Sequence, residues 1–140
     1  MFPDKIQVDS LNKISKNTLV EHLGIKFTVV EKDALIATMP VDHRTKQPMG
    51  YLHGGASVAL AETLGSVASV LLIDPNKQNV FGTEISASHI KSATSGLVTG
   101  TCKAIHIGRS SHVWEIKIKN EDDQLVSLVR LTTRVLDRKK

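Results

Sequence analysis

The sequence predicts an α+β domain in which one antiparallel sheet wraps a single long helix. Three observations predict it. Residues 55–73 contain no proline, are rich in Ala and Leu, and carry apolar residues on nearly every helical face. Two strand-like segments precede that run and four follow it, an order that one sheet around one helix satisfies most economically. The length of 140 residues suits one domain spanning 1–140, large enough to bury a core.

Residues 1–7 carry no clear signal, and 10–16 suggest a helical turn. Thr18-Leu19-Val20-Glu21 reads as a capping box opening a short helix, which Gly24 would end. Residues 25–31 and 34–41 read as strands joined by the turn Glu31-Lys32-Asp33, making a hairpin. A loop at 42–52 leads to the central helix, which at about 1.5 Å per residue would be roughly 27 Å long. Asp74-Pro75-Asn76 breaks it. Strand-like runs follow at 80–90, 97–107, 113–119 and 125–136. In the third of them Trp114, Ile116 and Ile118 alternate with Glu115, Lys117 and Lys119, the pattern of a half-buried strand. Cys102 and His106, four residues apart on one strand, should share a face and serve packing.

Composition narrows the function. The net charge of +4 comes from scattered basic residues, and aromatics make up only 4%. That combination argues against nucleic-acid binding and suits a phosphate-bearing small molecule. Cys102 is the sole cysteine, which leaves no intrachain disulfide or cysteine-rich zinc site. The six histidines show no HExxH pattern, so no metal is expected, and no GxGxxG or Walker sequence suggests a nucleotide cofactor. The N-terminus lacks a signal-peptide pattern, and Glu62 interrupts the one long apolar run. No membrane association is expected, and the reading is a cytoplasmic protein. Gly55-Ala56-Ser57-Val58-Ala59 loosely approaches a nucleophile elbow, but the chain is short for that hydrolase fold and Ser57 falls inside the helix.

Glu62 is the anomaly, a single charge in an apolar helix. An enclosed carboxylate is disfavoured in its charged form and can act as a base or nucleophile near neutral pH. Ser66, one turn on, could hold a water or orient it. His53-Gly54-Gly55 opens the helix, where free amides and the helix dipole polarise a carbonyl. Gly54 and Glu62 lie eight residues apart, about 12 Å along one helix. They cannot both reach one carbonyl from one copy of the helix. If both are catalytic, two subunits must share the site.

These segments carry a resemblance. Residues 39–69, 85–93 and 107–118, in this order of elements, resemble the hotdog-fold acyl-CoA thioesterases, the PaaI-like superfamily. The match extends over nearly the whole chain from Leu23. Its nearest likeness is the aryl-CoA branch that includes 1,4-dihydroxy-2-naphthoyl-CoA thioesterase of menaquinone biosynthesis and its proofreading relatives. Glu rather than Asp at position 62 favours that branch.

The resemblance implies that Glu62 is nucleophile or general base and that the Gly54 amide polarises the thioester carbonyl. It further implies that Gln47 lies near the thioester, that His53 positions the loop, and that Ser66 places the attacking water. His89, Lys91, Arg109, Ser110, Ser111 and His112 would contact the pantetheine and nucleotide of CoA. Met49, Tyr51, Leu60, Thr63 and Leu64 are candidates for the acyl pocket. No cofactor is implied. The partner implied is a second copy, in a homodimer that pairs into a homotetramer. Two other readings are a hotdog-fold hydratase or dehydratase using His53 and Glu62, and a non-enzymatic acyl-CoA sensor.

Overall fold

The computed structural model describes residues 1–139. Six strands form one fully antiparallel sheet: β1 (Lys26–Val30), β2 (Leu35–Pro40), β3 (Gln78–His89), β4 (Leu97–Ile107), β5 (Ser111–Lys119) and β6 (Leu125–Asp137). The spatial order is β1-β2-β4-β5-β6-β3. Local pairing explains the β1–β2 hairpin and the β4-β5-β6 meander. β3 departs from it, because it crosses the whole sheet after the helix and pairs with β6 at the far edge.

The long helix, α3 (Gly54–Val70), lies across one face of this sheet. It ends three residues earlier than expected. The amides of Leu72 and Ile73 bond three residues back, to Ser69 and Val70, so the last turn tightens out of the α-helix before Asp74-Pro75 breaks the run. Leu60, Ala61, Leu64 and Ala68 are buried against the sheet with Trp114, Ile116 and Leu131. Close approach comes from glycine on both sides: a Cβ at Gly65 would meet Leu131 at 2.5 Å, and one at Gly100 would meet Leu64 at 2.6 Å. Leu60 and Leu64 are therefore core residues. The opposite helical strip, including Ala59, Glu62, Thr63, Ser66 and Val67, stays half-buried, and Val70 is exposed. The helix is thus enclosed on one side only by its own chain, short of the full enclosure its apolar faces predict.

Two short helices, α1 (Val8–Ile14) and α2 (Leu19–His22), precede the sheet. The capping box does not form. Thr18 donates to the Ser15 carbonyl, and Glu21 accepts the amide of Asn17 rather than that of Thr18. Gly24 does end the helix, at φ 71°, where a side chain would be strained. Asn12 of α1 bonds both the amide and the carbonyl of Phe27, covering the outer edge of β1 as a further strand would. Phe2, in a segment with no clear sequence signal, is buried and stacks on Trp114.

Strand alternation holds on β5 and fails on β4. The ladder slips between Ala104 and His106, so Ile105 is an extra residue and the side chains beyond it change face. Cys102 is consequently buried under the helix while His106 is exposed, and the two do not share a face. Burial raises the pKa of the Cys102 thiol far above its ordinary value, which leaves it unreactive.

Candidate active site

The loop before α3 is built by short-range hydrogen bonds. The amide of Gln47 donates to the carbonyl of Tyr51, that of Gly50 to Gln47, and the Gln47 side chain accepts the amide of Met49. Buried Thr45 ties the loop to β2: its hydroxyl donates to the Pro40 carbonyl at 2.7 Å, and its own carbonyl accepts the amide of His53 at 2.8 Å. Asp42 accepts from Arg44 through backbone and guanidinium, which lowers its pKa to about 2.

His53 is the N-cap of α3, and its Nδ1 accepts the amide of Gly55 at 2.8 Å. The amides of Ala56 and Ser57 both donate to the His53 carbonyl. Among the described residues the Gly54 amide has no acceptor, so it is the free donor of the helix N-terminus. It opens onto a cavity of about 360 Å³, lined also by Gln47, Tyr51, His89, Lys91 and Ser127. His89 packs directly on Gly54: a Cβ there would meet His89 Nε2 at 2.6 Å. The other ring nitrogen, Nδ1, is 2.8 Å from the hydroxyl of Ser127.

Four expected site residues thus meet at one cavity: Gln47, Gly54, His89 and Lys91. Met49 and Tyr51 line it as well, while Thr63 turns its hydroxyl to the Ala59 carbonyl. Glu62 does not line it. Two turns along α3, the Glu62 carboxylate lies against β3 at Gly82, where an added Cβ would meet Oε1 at 2.5 Å. Gly82 is the residue that makes room for Glu62, and its signal is a glycine inside a strand pattern. Ser66 stands one turn further on and is half-buried like Glu62.

The expected CoA contacts divide between the two ends of the sheet. His89 pairs with Ser127 at one end, while Ser111 and Phe81 flank Arg134 at the other. Eight residues of β3 separate Phe81 from His89, roughly 26 Å at about 3.3 Å per residue. Arg109, Ser110 and Ser111 therefore lie far from His89 and Lys91 within one protomer. Arg109 and Ser110 are exposed, and the Ser110 carbonyl accepts the amide of Val135.

His112 departs from the expectation of a CoA contact. Its side chain is 3% exposed, edge-on to Trp114, with Nδ1 3.0 Å from the hydroxyl of Ser69. Ser69 also accepts from the Trp114 indole at 2.7 Å and pairs with Thr133 at 2.8 Å. Burial, reinforced by nearby His106, lowers the His112 pKa below its ordinary value. The residue belongs to a buried polar network at the far end of α3, because the inward alternation that buries Trp114 also buries His112.

Comparison with known proteins gives this arrangement a family. The thioesterase superfamily (4HBT) pattern matches residues 49–127. The chain is 53% identical over 129 residues to the proofreading thioesterase EntH of Cronobacter turicensis, covering 92% of this chain and 93% of that one. It is 48% identical over 132 residues to the 1,4-dihydroxy-2-naphthoyl-CoA hydrolase of Escherichia coli, covering 94% and 96%. A mutant thioesterase from Pseudomonas aeruginosa superposes with a TM-score of 0.96 at 42% identity, over 98% of this chain and 99% of that one. A thioesterase from Haemophilus influenzae gives 0.93 at 43%, over 97% and 94%. The six-stranded antiparallel sheet on one long helix is the hotdog fold of those neighbours, and the chain belongs to the thioesterase superfamily of thioester hydrolases.

Proposed function

We propose that the protein hydrolyses a CoA thioester at a site shared by two protomers. The observation that carries this reading is the free Gly54 amide at the mouth of a cavity that Glu62 of the same chain does not line. The thioester oxygen accepts from the Gly54 amide of one protomer, and Glu62 of the other faces the carbonyl carbon. In one course Glu62 attacks that carbon, the CoA thiolate leaves with the C–S electron pair, and water hydrolyses the resulting anhydride. In the other, Glu62 takes a proton from water, whose oxygen attacks, and the tetrahedral intermediate expels the thiolate. Both consume one water and release the free acid and CoA.

Two features support the paired assembly. β3 presents a 12-residue strand with one unpaired edge, and the half-exposed strip of α3 that carries Glu62 lies beside it. Antiparallel pairing of β3 with its two-fold copy makes one continuous sheet, covers that strip, and sets the 78–82 end of one protomer beside the His89 end of the other. It also brings Arg109 of one chain toward Lys91 of its partner, where cations suit the phosphates of CoA. Pairing of two such dimers gives the homotetramer. Ser66 places the attacking water, and His53 holds the loop through the Gly55 amide.

The acyl group in this reading is aromatic, as in the 1,4-dihydroxy-2-naphthoyl-CoA named for the Escherichia coli relative, which would place the protein in menaquinone biosynthesis. Thiol release from benzoyl-, 1,4-dihydroxy-2-naphthoyl-, phenylacetyl- and hexanoyl-CoA tests it. Wild type is expected to favour the aryl esters, and Glu62→Gln to lose about a hundredfold or more in kcat. A wild type that binds these esters without releasing thiol would instead favour a sensor, and a variant as active as wild type would remove Glu62 as the catalytic group.

A further inference from the structure

We propose that Ser127 is a positioning residue that sets the tautomer and aim of His89, making His89 Nε2–H a second hydrogen-bond donor beside the Gly54 amide. The kinetic half of this inference rests on the reading that the thioester carbonyl sits at the Gly54 end of the cavity.

Ser127 lies on β6 directly across the ladder from His89 on β3, so both side chains point to the helix face. Ser127 is fully buried. Among the described residues its hydroxyl has a single hydrogen-bond partner, His89 Nδ1 at 2.8 Å. A serine hydroxyl carries one hydrogen, and buried polar hydrogens in folded proteins find acceptors. Were Nδ1 the donor, the hydroxyl hydrogen of Ser127 would have no acceptor among the described residues. The hydroxyl therefore donates to Nδ1, and the ring hydrogen sits on Nε2.

Nε2 is also the ring atom that a Cβ at Gly54 would meet most closely. Glycine at 54 is what permits the approach. Two donors then converge on the same cavity: the helix-terminal amide, which no described residue occupies, and an imidazole N–H fixed by a buried hydroxyl. Paired, pre-aimed donors are what a developing oxyanion requires. His89 thereby takes a place at the reacting carbonyl instead of a place along the CoA tail.

A long-range ¹H–¹⁵N correlation spectrum of the uniformly labelled protein reads the tautomer directly, with His89→Gln assigning the resonances. Wild type at pH 7.5 is expected to show His89 protonated on Nε2 alone, and Ser127→Ala to show a mixture. A ring protonated on Nδ1 in wild type would overturn the proposal. This readout needs no substrate, so it stands apart from the hydrolysis assay. In thiol release from the best aryl-CoA, Ser127→Ala is expected to lose about tenfold in kcat with KM little changed, and Ser127→Thr to regain most of it. His89→Leu should lose about a hundredfold, and His89→Gln, which keeps an N–H near the Nε2 position, clearly less. Equal losses for the two His89 variants, or wild-type kcat in Ser127→Ala, would remove the second donor from the account. A wild type without hydrolysis would remove the site reading, while the spectrum would still decide the tautomer.

Discussion

Replacing Gly54 with proline removes the one hydrogen the proposed mechanism needs at the helix N-terminus. Gly54 is the first residue of α3, where proline is well tolerated because its missing N–H has no helical partner. The preceding residue, His53, already has φ −67° and ψ 128°, the extended backbone a following proline requires. The helix should therefore survive. Proline also adds a Cβ, which meets His89 at 2.6 Å, so Gly54→Ala is the matched control that crowds His89 but keeps the amide. Loss of one pre-aimed oxyanion donor costs about 10²–10³ in kcat, or roughly 2.7–4 kcal/mol. Steady-state thiol release should show Gly54→Pro slower than Gly54→Ala by about that factor, with matching far-UV circular dichroism. Equal rates for the two variants would refute the role of the amide.

Gly82→Ala should place a methyl 2.5 Å from Glu62 Oε1 and push the carboxylate aside by about 1 Å, a displacement that costs about a hundredfold in kcat. Alanine loses less backbone freedom on folding than glycine, so the thermal midpoint should hardly move, and an unchanged kcat would show that the carboxylate need not stay where it is. His112 predicts a pH dependence of stability. Its folded pKa lies below the ordinary value of 6.5, so the unfolded chain binds the proton more readily. Its contribution is complete above about pH 6.5 and is lost as the pH falls through that value toward the folded pKa. Scanning calorimetry between pH 8 and 5 should show a falling midpoint in wild type and a flatter profile in His112→Gln.

Much of this fold was legible because it follows from local periodicity. The central helix, the β1–β2 hairpin and the alternating faces of β5 are set by residues close in sequence, and they appear within a few positions of where the pattern puts them. The features that escaped depend on distant partners. Nothing in residues 78–89 says that this strand pairs with β6 at the sheet edge, and nothing around Ile105 announces the bulge that sends His106 outward. Thr18 and Glu21 have the spacing of a capping box, yet the positive φ of 60° at Asn17 draws the Glu21 carboxylate one residue back. Phe2 finds Trp114 across more than a hundred residues of chain, which no window can see.

The site divides in the same way. His53 and Gly54 were legible as candidates because they open the helix, and Glu62 because a charge in an apolar run stands out, whereas Gln47 came from the family resemblance. His89 and Lys91 reach the same cavity through sheet topology; the family resemblance set them with Arg109 along CoA, and spacing alone gave no sign that they would join Gln47 and Gly54. Gly82 and Ser127 were missed. Each acts only through a neighbour, Glu62 or His89, brought to it by the fold. His112 was placed with the CoA contacts by its position after the Arg109 turn, but its strand parity points it into the core.

The central claim is that one reaction uses Gly54 of one protomer and Glu62 of the other. Mixing two inactive variants tests it most directly. Gly54→Pro and Glu62→Gln protomers, co-expressed in equal amounts and purified through two different tags, form mixed dimers with one intact site and one doubly altered site. Thiol release by those mixed dimers should return to about half of the wild-type rate per dimer, far above either parent. Mixed dimers no more active than their parents would contradict the shared site.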